Sequence, residues 1–207
     1  MESLATGVIT NSSSEFNTRK EALMFLLHFI GDIHQPLHTE NASRGGNDID
    51  VCFNNRSRNL HAVWDTDIVL KYRGLPRNSS NDDEKAAARE WADELHSNIQ
   101  ARGIAVEQEC NDISDPQTCA LGWAMEANKW ICRHVLKNGV PWLEDQRNDL
   151  ARGYYNGAVP IVDELVGKAG VRLAAWLNAI AAAQPSRGNF LVQKADGNEE
   201  PVESEEL

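Results

Sequence analysis

The sequence predicts a mainly α protein, a compact fold of several helices with at most a small β-hairpin. Three observations support this prediction. Apolar residues recur at helical spacing along most of the chain, capping and helix-ending residues separate these stretches, and only one short stretch alternates as a strand does. A length of 207 residues with 42% hydrophobic and 25% charged residues suits one globular domain with a sizeable core. No apolar run approaches the roughly 18 residues of a membrane span, so we expect no membrane association.

The predicted helices follow one another along the chain. The first, residues 20–33, is apolar around most of its circumference, and we therefore expect it to be buried. Asn81, Asp82 and Asp83 are the candidate caps of the third helix, and Pro160 is expected to kink or restart the fifth. The further helices are expected over residues 60–72, 84–100, 118–137, 144–166 and 170–183.

The segment between the first two helices, residues 39–59, is the only candidate for β-structure. Gly45 and Gly46 precede a short alternation of Ile49, Val51 and Phe53, and the polar run NNRSRN follows. Such a pattern is compatible with a small hairpin or with a long loop. We expect residues 1–183 to form the folded domain. Residues 184–207 form a tail with six acidic and two basic side chains, which we expect to be disordered.

Four of the six histidines lie between residues 26 and 65, together with two well-placed aspartates. His28 and Asp32 stand four residues apart, and His61 and Asp65 repeat that spacing, which on a helix puts both side chains on one face. Pro36 should end the first helix and turn the chain at His38. We therefore expect all five side chains to meet in one cleft.

Imidazoles and carboxylates without a thiolate suit zinc at a catalytic site. A single pair of this kind is weak evidence, because a histidine and an aspartate at this spacing also arise by chance and can simply bond to each other. Two pairs with a third histidine between them are stronger evidence for a metal site.

Three sequence blocks, HFIGDIHQPLH, GGND and NLHAVWD, resemble the S1/P1 nuclease family in their order and spacing. The resemblance implies the compact helical fold that these nucleases share with bacterial zinc phospholipases C, and a cluster of three zinc ions. It implies that His28 and Asp32 hold one zinc ion, with Asp32 bridging to its close neighbour and so taking part in catalysis. The third ion would be held by His38, His61 and Asp65.

Two other positions are assigned by the same resemblance. Asn47, in the block GGND, corresponds to the family residue that bonds the edge of a stacked nucleobase. His34 has no ligand counterpart, and we expect a buried, hydrogen-bonded histidine near the ligands. No aromatic residue can be matched to the one that would stack on the base.

The sequence also departs from the family pattern. Family members begin with a tryptophan whose amino group and carbonyl bind zinc, then a histidine, and later an aspartate and a histidine that complete the cluster. No histidine precedes His28 here, so the resemblance covers the carboxy-terminal two-thirds of the family domain. We therefore expect one to two bound zinc ions in this chain and little activity from it alone.

The activity implied by the resemblance is hydrolysis of single-stranded DNA and RNA to 5′-phosphorylated products, together with removal of the 3′-phosphate from 3′-nucleotides. A net charge of −11 argues against a basic groove as the means of holding a polyanion. Zinc ions would supply the local positive charge instead. We expect a monomer.

Three other functions are compatible with the same residues. The first is a phospholipase C-like phosphodiesterase, against which the GGND block argues. The second is a non-catalytic zinc-binding helical protein, because the cluster is incomplete in this sequence. The third is a helical interaction domain without metal.

Sequons and cysteines indicate a secreted protein, although no signal peptide opens the sequence. Sequons occur at Asn11, Asn41, Asn55 and Asn78. Cys110 and Cys119 flank the turn-rich segment NDISDPQT and could form a local disulfide, the alternative being unrelated buried thiols. Cys52 is expected in the core. By resemblance, Cys132 would bridge to a part of the family domain that this sequence lacks.

Overall fold

A computed structural model of the protein describes residues 19–101, 110 and 112–183. The expectations for Asn11 and for the tail 184–207 therefore lie outside the described residues. The prediction of a mainly α fold is confirmed. The helices are α1 (Arg19–Asp32), α2 (residues 60–72), α3 (Asn81–Ala101), α4 (Pro116–Trp130), α5 (Val140–Glu144) and α6 (Gly153–Ala183). A 3₁₀ helix, Pro36–Thr39, and a helical turn, Ser43–Gly46, connect α1 to the strands, and a π-helical turn, Ile131–Val135, extends α4.

The segment that could have been a loop forms a two-stranded antiparallel hairpin. Strands β1 (Asp50–Phe53) and β2 (Arg56–Asn59) pair so that Phe53 lies opposite Arg56. Asn54 and Asn55 both have positive φ, 56° and 59°, as a two-residue hairpin turn requires. The Asp149 carboxylate accepts hydrogen bonds from their backbone N–H groups at 2.7 and 3.2 Å. This contact ties the hairpin to the loop before α6.

Two hydrophobic clusters lie among the described residues, and the smaller one fixes the position of α1. One face of α1 is fully buried against Trp123 of α4 and Trp176 of α6, and it consists of Ala22, Leu26 and Ile30. The predicted disulfide is present: Cys110 and Cys119 are bonded with a Cα–Cα distance of 5.1 Å. Cys52 is buried in β1 as expected, and Cys132 is exposed.

The prediction that α1 is buried all around is wrong. Among the described residues, the main helical partners of α1 are α4 and α6, and both lie on the side of the face described above. The opposite side exposes Met24 at 59%, Phe25 at 39%, Leu27 at 38% and Phe29 at 43% of their surface. The rings of Phe25 and Phe29 stack with centroids 5.7 Å apart. A large apolar surface thus lies on the helix that carries His28 and Asp32.

The last helix also differs from the expectation. A single helix, α6, runs through Pro160 to residue 183, whereas the sequence predicted one helix from residue 144 and another from residue 170. Pro160 is exposed, so its ring faces solvent, while its neighbours Ala158, Ile161 and Val162 are buried. Continuous packing of this buried face maintains the helix despite the hydrogen bond that proline cannot donate.

Helix α3 begins at Asn81, three residues before the predicted start at residue 84. The reason is that Ser80 caps it. The Ser80 hydroxyl accepts from the backbone N–H of Asp83 at 3.2 Å and donates to the Asp83 carboxylate at 2.7 Å. The predicted caps Asn81, Asp82 and Asp83 therefore lie inside the first turn. None of the helices in the described part of the chain is long and apolar enough to cross a bilayer.

Candidate metal centre

The first pair of candidate ligands lies at the end of α1. His28 and Asp32 share one face, as their spacing predicted, and His28 Nε2 lies 3.2 Å from Asp32 Oδ2. The side chains are 65% and 41% exposed. This pair faces outward next to Phe29 rather than into the core.

The 3₁₀ helix after α1 brings His38 back to this pair. Gln35 caps the helix with its side-chain carbonyl on the N–H of Leu37, and Pro36 starts its first turn. His38 Nδ1 lies 3.1 Å from the backbone carbonyl oxygen of Asp32. His38 is thus fixed directly beside Asp32.

Helix α2 supplies the remaining two side chains. Asn59 caps its first turn, which carries His61, and a π-helical turn, Val63–Asp67, carries Asp65. His61 Nε2 lies 3.1 Å from Asp65 Oδ2, and His38 Nε2 lies 3.2 Å from Asp65 Oδ1. One ligand atom from each of these three residues lies within 4.8 Å of the others, so the three can hold one metal ion. We call them the three-ligand group.

Hydrogen bonds to backbone carbonyls set the tautomers of both histidines. His61 Nδ1 lies 2.7 Å from the Gly45 carbonyl oxygen, and His38 Nδ1 lies against the Asp32 carbonyl. Because a carbonyl oxygen only accepts, each Nδ1 carries a hydrogen, and each Nε2 is directed at Asp65. Metal-bound histidines in proteins are oriented by the same kind of contact.

The contact between Asp65 and His38 shifts the pKa of both side chains. The hydrogen bond to Asp65 raises the pKa of His38, although burial of the ring opposes the shift. Burial would raise the pKa of Asp65, but the hydrogen bonds from His38 and Gln35 outweigh it and hold that pKa below its usual range. A negative carboxylate thus lies between two imidazoles, as a cation site requires.

The turn Ser43–Gly46 closes one side of the centre, and its backbone is left-handed at Gly45, with φ of 63°. A Cβ at Gly45 would lie 2.9 Å from the carbonyl oxygen of Leu37, so a larger residue does not fit. Next to this turn lies an open cleft of about 530 Å³. Its lining includes side chains of the candidate site together with Phe29, Arg44 and Asn41.

Asn47 is exposed immediately after the glycines. Its side-chain N–H donates to the Arg44 carbonyl at 2.9 Å, which closes the turn on itself. Asn47 is not among the described residues that line the cleft. The structure thus places it at the side of the cleft rather than in its wall.

His34 is buried, with 3% of its surface exposed, and both ring nitrogens are bonded. Nδ1 lies 2.7 Å from the Ile30 carbonyl, and Nε2 accepts from Arg172 at 2.8 Å. Burial lowers the pKa of His34 to about 4, so the ring is neutral. Arg172 in turn donates to Glu126 at 2.6 Å, which links the end of α1 to α4 and α6.

Sequence reasoning missed two side chains of the site. Gln35 has no predicted role, yet its amide donates to Asp65 Oδ1 at 2.8 Å. Arg44, which lines the cleft and pairs with Asp48 at 3.0 Å, was given no role. The signal in the sequence for a role of Gln35 was its position between the candidate ligands Asp32 and His38. Among the described sequons, Asn41 borders the cleft, Asn55 lies in the hairpin turn and Asn78 precedes α3.

The fold and site define a mainly α protein with a two-histidine, one-carboxylate group that can bind metal. The model of the S1/P1 nuclease family matches residues 3–182, and the chain belongs to that family. It is 39% identical to Nuclease S1 of Aspergillus oryzae over 80% of this chain and 55% of that protein. It is 36% identical to Nuclease P1 of Penicillium citrinum over 85% of this chain and 63% of that protein.

A plant relative shows a similar likeness. Endonuclease 2 of Arabidopsis thaliana is 35% identical over 82% of this chain and 54% of its own length. The chain therefore spans little more than half the length of most of these relatives.

Proposed function

We propose that the protein is a zinc-dependent phosphodiesterase that hydrolyses single-stranded DNA and RNA to 5′-phosphorylated products and removes the phosphate from 3′-nucleotides. The observation that carries the proposal is the three-ligand group, in which His38 and His61 both direct Nε2 at Asp65. The relatives that share most of this chain are named as nucleases and endonucleases.

The donor set fits zinc. Two imidazole nitrogens and one carboxylate oxygen are favourable zinc ligands, whereas magnesium and calcium prefer oxygen alone. Three protein ligands leave a fourth position open, as in catalytic zinc sites. A zinc ion bound there would lower the pKa of a bound water and hold a phosphate oxygen. The role of His38, His61 and Asp65 is to fix that ion next to the cleft.

We propose that His28 and Asp32 take part in a second zinc site that needs further ligands. Among the described residues, His28 and Asp32 have no third candidate ligand outside the three-ligand group, and catalytic zinc usually has three protein ligands. The relatives are longer than this chain, so corresponding ligands can come from parts of the family domain outside it. We therefore expect the chain alone to hydrolyse its substrate slowly.

The cleft suits a single-stranded substrate. Phe29 lines it with 43% of its surface exposed, next to Asp32, and a base freed from its stack can lie on that ring. Arg44 also lines the cleft and can pair with a phosphate. A base inside a duplex is already stacked between its neighbours and so cannot lie on the Phe29 ring. We propose that Asn47 bonds the edge of the base from beside the cleft.

The disulfide and the sequons support an extracellular location. Cys110 and Cys119 are bonded, and disulfides persist in oxidising compartments. We propose that the protein is a secreted monomer that carries N-linked glycans on exposed asparagines.

The test of the proposed function is a comparison of two proteins on four substrates. The first is the chain itself, and the second is a chimera in which the amino-terminal portion of Nuclease S1 precedes it. Both are loaded with zinc and given single-stranded DNA, the same sequence as duplex, a 3′-nucleotide and phosphatidylcholine vesicles. Asp32→Asn in the chimera is the inactive control.

We expect the chimera to cleave single strands faster than duplex, to release phosphate from the 3′-nucleotide and to leave phosphatidylcholine intact. We expect the chain alone to be much slower. Hydrolysis by the chimera without zinc, or equal rates on duplex and single strands, would contradict the proposal. Preference for phosphatidylcholine would favour a phospholipase, and zinc binding without any hydrolysis would favour a non-catalytic zinc protein.

A further inference from the structure

Gln35 contacts the three-ligand group without being a metal ligand itself. Its side-chain Nε2 donates to Asp65 Oδ1 at 2.8 Å, across a separation of thirty residues in sequence. The other atom of the same amide, Oε1, accepts the N–H of Leu37 and so caps the 3₁₀ helix that carries His38. One amide therefore joins the segment that carries His38 to the helix that carries Asp65.

The orientation of this amide is fixed. The backbone N–H of Leu37 can only donate, so Oε1 must face it, and Nε2 must then face the carboxylate. The Gln35 backbone is extended, with ψ of 120°, as the residue before a proline should be. The side chain is thus held between two partners, and its donor is aimed at one carboxylate oxygen of Asp65.

The consequence concerns how Asp65 can bind a metal ion. Its Oδ2 lies 3.1 Å from His61 Nε2, whereas Oδ1 lies 3.2 Å from His38 Nε2 and also receives the Gln35 amide. A carboxylate with one oxygen engaged in this way presents the other oxygen to a cation. We propose that Gln35 is a positioning residue that holds Asp65 as a ligand through one oxygen and keeps the fourth position of the ion open for water or phosphate.

This inference rests on the proposed zinc site and deepens it. Side chains that hydrogen-bond to metal ligands usually influence the metal affinity of the site. Removal of one typically lowers that affinity by about 10- to 100-fold. If Gln35 acts through Asp65, its effect on affinity should vanish when the side-chain oxygens of Asp65 are removed. If Gln35 acts only as the cap of the 3₁₀ helix, its effect should persist.

The experiment is a double-mutant cycle on the full chain, read out as zinc affinity in competition with a chromophoric chelator. The variants are Gln35→Met, Asp65→Ala and the combination of both. Gln146→Met is the matched control, because the Gln146 amide also donates to backbone carbonyls, of Asp50 and Glu144, but lies away from the site. The visible spectrum of bound Co²⁺ serves as a second readout, since its absorption falls as the coordination number rises.

We expect Gln35→Met to lower zinc affinity about 10- to 100-fold and to weaken the Co²⁺ absorption, while Gln146→Met leaves both unchanged. In the Asp65→Ala background, Gln35→Met should have no additional effect. Unchanged affinity and spectrum in Gln35→Met, or effects that add in the double variant, would overturn the inference. If the unaltered chain bound no zinc, the proposed site itself would fall, and the inference with it.

Discussion

The Nδ1–H of His61 donates to the carbonyl of Gly45 at 2.7 Å, so a glycine turn, rather than another side chain, orients this candidate ligand. The turn is possible because Gly45 adopts a φ of 63° and because its Cα has no substituent facing the Leu37 carbonyl. The glycines of the block GGND thus orient a candidate metal ligand, in addition to any contact that the block makes with substrate.

Gly45→Ala is therefore expected to lower both stability and zinc affinity. The left-handed conformation alone should cost roughly 1–2 kcal/mol of stability. The added Cβ would also lie 2.9 Å from the Leu37 carbonyl and displace the Gly45 carbonyl from His61. Urea denaturation and zinc titration measure the two effects.

Gly74→Ala is the matched control for this change. Gly74 has a similar φ of 68°, but a Cβ there would meet nothing within 4 Å. It should lose stability from the backbone strain and keep its zinc affinity. Equal zinc affinity in both variants would show that the Gly45 carbonyl does not orient His61.

Asn47→Ala should weaken nucleotide binding by up to about tenfold, the usual contribution of one hydrogen bond, and leave zinc content unchanged. Fluorescence anisotropy with a labelled oligonucleotide and metal analysis of the zinc-loaded protein give the two values. Asn148→Ala is the control, because the Asn148 amide likewise donates to a backbone carbonyl, that of Trp142, at 2.9 Å. Loss of zinc in Asn47→Ala would assign Asn47 to the support of the glycine turn instead.

Phe29→Ala should weaken the binding of single-stranded oligonucleotides by about 1 kcal/mol or more, because a base–aromatic stacking contact is removed. Phe25→Ala is a close control: the two rings stack on each other and are similarly exposed, but only Phe29 lines the cleft. Binding is measured by titration of the zinc-loaded chain. A similar loss in both variants would indicate a general effect on α1 rather than a base contact.

The stability of the metal-free chain should fall as the pH is lowered through about 6.5, in part because of His134. Burial lowers the pKa of His134 below its ordinary value of 6.5, and its Nε2 lies 3.1 Å from the Tyr154 carbonyl. In that pH range the unfolded chain takes up a proton that the folded chain does not, so acid favours unfolding.

His134→Gln should retain the hydrogen bond and remove this contribution. Urea denaturation between pH 7.5 and 5.5, with chelator present, should therefore show a shallower loss of stability in the variant. His96→Gln, on the exposed surface of α3, is the control. A slope in His134→Gln equal to that of the unaltered chain would refute the role of His134.

Much of the candidate site could be predicted from sequence because it depends on local spacing. His28 and Asp32 share a helical face, and Pro36 turns the chain at His38, as short-range rules require. The contacts between segments could not be predicted in this way. The Gln35–Asp65 bond joins residues far apart in the chain, and apolar periodicity does not distinguish the π-helical turn at Asp65 from an α-helix.

The fold likewise has features that local sequence predicts and features that depend on contacts between segments. Helix identities followed from apolar periodicity, but the exposure of Phe25 and Phe29 did not, because periodicity does not reveal which apolar face finds a partner. Pro160 predicted a break that the buried face of α6 overrides. Ser80 caps α3 because its hydroxyl reaches the N–H of Asp83, and the neighbouring Asn81 and Asp82 were equally good candidates from sequence.

The central claim is that His38, His61 and Asp65 together hold one zinc ion, and zinc titration of the metal-free chain tests it most directly. The unaltered chain should bind at least one ion tightly, and His61→Ala should lose that ion. His96→Ala, which removes a histidine outside the site, should bind as the unaltered chain does. Zinc content and affinity that stay unchanged in His61→Ala would contradict the account.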